Sequence, residues 1–116
     1  MLLWQDEKNF IRFVRAARGE RVVHAHLEIF RDGKTVGDGG ASLTQDKPTL
    51  LKLTRKGNAF SFAVSEDGKN WKELETSGVN PANIDLPKKL MVGVAVINAT
   101  TKEFAPQFES LTVKGK

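Results

Sequence analysis

The sequence predicts an all-β fold, an antiparallel sandwich, and three observations carry that reading. Short runs of apolar and polar residues alternate with a period of two. Asp-Gly and Gly-Asn pairs, which supply the positive-φ residues of tight hairpins, separate these runs at short intervals. One run, 90–98, is apolar or small on both faces. At 116 residues the chain is long enough for one hydrophobic core and too short for two, so a single domain over 1–116 is expected.

The first segment admits two readings. Phe10, Phe13, Val14 and Ala17 fall at helical spacing, with Asp6 available as an N-cap. The same residues also fit a strand pair turning at Asp6-Glu7-Lys8-Asn9, with 2–4 and 10–15 as its arms. The clearest strand follows at 22–30, where Val23, Ala25, Leu27 and Ile29 share one face and His24, His26 and Glu28 the other. Arg31-Asp32-Gly33-Lys34 and Gly37-Asp38-Gly39-Gly40 read as turns. Leu51 and Leu53, then Phe60, Phe62 and Val64, form the apolar faces of a hairpin closed by Arg55-Lys56-Gly57-Asn58. Glu66-Asp67-Gly68-Lys69 is a further turn, after which Trp71 is expected to pack into the sandwich. The stretch 78–89, with Pro81, Asn83 and Pro87, reads as an irregular connection. The run 90–98 is expected to be a central strand, and 108–114, with Leu111 and Val113, the last one.

Composition narrows the function classes. A formal net charge of +4 could suit an anionic partner, but the basic residues are dispersed among acids; Arg12, Arg15 and Arg18 form the nearest approach to a cluster. No nucleic-acid partner is expected, and no membrane partner either, since Met1 to Trp4 is followed at once by Gln5 and Asp6. The absence of Cys removes disulfides, thiolate metal sites and thiol nucleophiles. No phosphate loop, dinucleotide fingerprint or calcium loop is present, and no cofactor is expected. Asn98-Ala99-Thr100 fits the N-glycosylation pattern, which carries weight only in a eukaryotic secretory setting.

The segment Leu2-Leu3-Trp4-Gln5-Asp6-Glu7-Lys8-Asn9-Phe10-Ile11-Arg12-Phe13 resembles a hairpin of the concanavalin-A-like lectin/glucanase superfamily, in the group of small modules that includes enolase-regulator-like proteins and accessory domains of β-xylosidases. The similarity continues through Leu51-Lys52-Leu53-Thr54-Arg55-Lys56-Gly57-Asn58, Ser65-Glu66-Asp67-Gly68-Lys69-Asn70-Trp71 and Val92-Gly93-Val94-Ala95-Val96 to Phe108. The resemblance implies a jelly-roll sandwich and makes 10–18 a strand. It also implies that strands are missing ahead of Met1, so that 1–116 is the C-terminal portion of a larger module. A missing strand would bare the edge at Met1 to Trp4, a template for homodimerisation, unless the remaining strands close on themselves.

Against that background the candidate chemistry is binding, not catalysis. Glucanases of the superfamily use paired carboxylates on one strand. Here the nearest pair is Glu28 and Asp32, and Asp32 already serves a turn, so no catalytic residue is assigned. His24, His26 and Glu28 share a face but sit about 7 Å apart along the strand, too far for one metal to bridge unaided, and no metal is expected. That face reads either as a solvated polar sheet face or as a surface for sugar hydroxyls, with Arg12, His24, His26, Glu28 and Lys52 as polar groups and Trp4 as a stacking ring or, equally, a core or dimer-interface residue. The expected function is a non-catalytic carbohydrate-binding or accessory module. The alternative is a structural or protein-interaction module that self-associates through an exposed sheet edge.

Overall fold

Tight turns set the strand pairing. In a computed structural model of the chain, residues 1–18, 22–94 and 110–114 are described, and they form nine strands and no helix. The strands are β1 (Leu2–Asp6), β2 (Asn9–Arg18), β3 (Val22–Arg31), β4 (Lys34–Leu43), β5 (Leu50–Lys56), β6 (Ala59–Ser65), β7 (Lys72–Glu73), β8 (Thr76–Gly78) and β9 (Met91–Gly93). They make two antiparallel sheets. The larger has the order β8-β4-β3-β2-β1-β9, the smaller β5-β6-β7.

The ambiguous first segment is a strand pair. Asp6 accepts hydrogen bonds from the Lys8 backbone N–H at 2.8 Å and from the Asn9 side chain, so it organises a turn and not a helix start. At the next hairpin Asp32 and Gly33 adopt φ of 53° and 76°, the left-handed pair that a two-residue loop requires. The two hairpin tips are tied together: the Gly33 N–H donates to the Lys8 carbonyl at 2.9 Å and the Asp32 N–H to Asn9 Oδ1 at 3.1 Å.

Period-two alternation delivers the core. Ile11 and Phe13 from β2, and Ala25, Leu27 and Ile29 from β3, are buried against Phe60, Phe62 and Val64 from β6. Phe13 and Phe62 meet edge to face at 5.7 Å between centroids, joining the two sheets. The irregular connection contributes more than expected. Ile84 (1% exposed) and Leu86 (5% exposed) lie in the core, the Ile84 N–H donates to the Asn58 carbonyl, and Arg55 donates to the carbonyls of Leu86 and Pro87.

Four expectations are corrected. Gly37 to Gly40 is not a turn but the middle of β4; there β8 approaches so closely that a Cβ on Gly39 would lie 2.8 Å from the Glu75 carbonyl oxygen. The 90–98 run is not central among the described residues, because β9 borders the sheet beside β1 and Met91 is 64% exposed. Residues 110–114 carry no strand and expose Leu111 and Val113. The edge at Met1 to Trp4 is not bare, since Leu2, Leu3 and Trp4 pair with Gly93, Val92 and Met91. The rest of both runs, Phe108 and the Asn98 pattern lie outside the described residues.

Candidate functional site: the outer face of the larger sheet

Because Ile11, Phe13, Ala25, Leu27 and Ile29 point into the core, the residues between them project from the opposite side of the sheet. Register then fixes the rows across the strands. Trp4, Phe10 and Phe30 form one row, Arg12, Glu28 and Asp38 the next, then Val14, His26 and Gly40, and finally Ala16, His24 and Ser42.

The first row is an aromatic ladder. Trp4 stacks on Phe10 with centroids 5.3 Å apart, and Phe10 stacks on Phe30 at 4.5 Å. Cross-strand aromatic pairs of this kind each contribute about 0.5–1 kcal/mol beyond area burial. Trp4 ends the ladder, with Phe10 against one side and Met91 of β9 as its neighbour on the other.

The second row is charged. Arg12 pairs with Glu28 Oε2, and its guanidinium lies 5.7 Å from the centre of the Phe30 ring. His26 Nε2 donates to Glu28 Oε1 at 2.9 Å, so both carboxylate oxygens are engaged. Burial works to raise the Glu28 pKa, but the hydrogen bonds and charges of His26 and Arg12 outweigh it and hold the carboxyl below its ordinary value. His24 packs edge-on to His26 at 5.7 Å. On the far side of Glu28, Asp38 accepts a hydrogen bond from the Ser77 hydroxyl of β8.

No family model, curated protein or solved structure matches this chain.

Five of the six sequence-predicted residues, Trp4, Arg12, His24, His26 and Glu28, therefore share one face. Lys52 does not. It lies on the outer side of the smaller sheet, where Nζ sits 4.1 Å above the Trp71 ring. The same contact corrects Trp71, which is 37% exposed and capped by Lys52 instead of buried between the sheets. Asp38 was missed because its flanking glycines read as a turn. The signal was present: Gly39, Ala41 and Leu43 alternate with Asp38, Gly40 and Ser42, a strand pattern written in small residues.

Other arrangements carry less chemistry. Among the described residues no group of three or more His, Asp or Glu side chains is placed to hold a metal. Asp32 occupies its turn away from Glu28's row. Arg12 and Arg15 leave β2 on opposite faces, Arg15 donating to the Gln45 carbonyl, so the basic cluster of the sequence is divided. An open cleft of about 470 Å³ lies beside the β6–β7 turn, bordered by Lys47, Glu66, Asp67 and Lys72. Its most acidic group is already committed: the backbone N–H groups of Asn70 and Lys69, the Asn70 side chain and Ser65 hold the Asp67 pKa far below the carboxylate range.

Proposed function

We propose that the chain is a non-catalytic carbohydrate-binding or accessory module, a jelly-roll sandwich of the concanavalin-A-like type, that holds sugar on the outer face of its larger sheet. The observation that carries this reading is the adjacency of the Trp4-Phe10-Phe30 ladder and the Arg12-Glu28-His26 network. Sugars present apolar C–H groups beside fixed hydroxyls, and a row of aromatic ring edges next to planar polar groups offers a contact for each. A hydrolase would need one carboxyl kept protonated as an acid. Glu28 is held in the opposite state, with both oxygens already bonded.

The test is a glycan array followed by calorimetric titration of the hits with the wild type and each variant. Trp4→Ala and His26→Ala are each expected to weaken binding about tenfold, the equivalent of one lost stacking or hydrogen-bonding contact. Bound oligosaccharide should be recovered uncleaved. An array without hits, or release of reducing ends, overturns the reading.

The alternative, a structural module that self-associates through a sheet edge, is favoured by one observation. Among the described residues β9 ends the larger sheet and exposes Met91, with Val92 39% and Val94 46% exposed beside it. Sedimentation of the chain and of Val92→Lys over a range of concentrations decides it. A dimer lost in the variant supports self-association, and a monomer at all concentrations rejects it.

A further inference from the structure

Resting on the sugar-binding reading above, we infer that this face selects uncharged sugars over acidic ones, and that Asp38 is the residue that sets the selectivity. The chain as a whole carries a formal charge of +4, which taken alone favours an acidic ligand. The rows around Asp38 have the opposite balance. From the Trp4 row to the Ala16 row, the charged side chains that β2, β3 and β4 place on the face are Arg12, Glu28 and Asp38, with Arg18 one row further along β2. Arg12 is matched by Glu28, and the partner of Asp38 is a neutral hydroxyl, that of Ser77. A sugar carboxylate laid across these rows meets the Asp38 charge while the guanidinium is already engaged. Sugar hydroxyls instead donate to carboxylate oxygens, the strong charge-assisted case. Gly40, beside Asp38 in the next row and opposite His26, puts no side chain in the way of a ring lying there.

The placement of Asp38 is also unfavourable for the sheet. It sits directly across from Glu28, and like charges in opposed positions on neighbouring strands destabilise the pairing. A structural role would be served as well by a neutral residue. Local cost at an exposed position is the pattern expected where binding, not folding, dictates the side chain.

The experiment is calorimetric titration of the full chain and of Asp38→Asn with neutral galacto-, gluco- and manno-oligosaccharides and with oligouronates of equal length, with melting curves of both proteins. The wild type should bind its neutral ligand at least tenfold more tightly than the matching uronate. In Asp38→Asn that ratio should fall to about threefold or less, with a melting temperature equal to or above the wild type's. Asp38→Ser, tested alongside, should behave as Asp38→Asn. Uronates bound by the wild type as tightly as neutral sugars, or a ratio unchanged in both folded variants, overturn the inference and leave the binding reading standing. No binding to either class overturns both.

Discussion

At Glu28 one carboxylate meets an arginine, a histidine and, across the next strand, a second carboxylate. Its lowered pKa gives a signed consequence. Stability contributed by this group is fully present above the ordinary glutamate value of 4.5 and is lost as pH falls through the lower folded value. Glu28→Gln should therefore cost about 1 kcal/mol at pH 7, and the gap between variant and wild type should close as pH falls below about 4.5. Thermal melts followed by circular dichroism at pH 7, 5, 4 and 3 check this, and a gap that does not change with pH would show that the pair contributes nothing through charge. The face of Glu28 was legible from alternation at 22–30 alone. Its partner Arg12 was legible as a candidate only once 10–18 was taken as strand, because Phe10, Phe13, Val14 and Ala17 satisfy a helical period equally well. Lys52 was misplaced for a related reason: alternation says which residues share a strand face, but not which sheet the strand joins.

Strands with strong turn chemistry were predicted with the right type and nearly the right bounds, because Asp32-Gly33 and Gly57 need no tertiary partner to dictate a reversal. Where glycine serves close approach and not a turn, sequence reading fails. Gly37, Gly39 and Gly78 thin the sheet where β4 and β8 run together, and Gly78 combines a φ of 87° with a site where a Cβ would lie 2.3 Å from the Val36 carbonyl oxygen. Gly78→Ala is expected to cost about 2–3 kcal/mol through left-handed strain and displaced backbone. In hydrogen exchange, the amides where β8 meets β4 should lose protection while those of β2 and β3 keep theirs. Equal loss across the sheet would mean that β8 is not a separable element. Ile84 and Leu86 were equally hidden, since a segment rich in Pro and Asn gives no period by which to recognise core residues.

At the scale of the molecule the two tryptophans fall on different sheets, Trp4 on β1 and Trp71 beside the outer side of the smaller sheet. They can report separately on each. The Phe13–Phe62 contact and a buried cluster drawn from both sheets predict that the layers unfold together. Single-tryptophan variants Trp71→Phe and Trp4→Phe should give coincident denaturant midpoints, and midpoints that separate would mean two cooperative units. The order of the strands has another consequence, at the time of synthesis. The strands β1 to β4 are consecutive in the chain and pair as neighbours, so this meander can form before the smaller sheet has been made. Its apolar side then waits for Phe60, Phe62, Val64 and Leu74, an interval of roughly 2–6 s at ordinary rates of translation. During those seconds Phe13, Leu27 and Ile29 stand open to water, and the nascent chain is most exposed to chaperones and to other copies of itself.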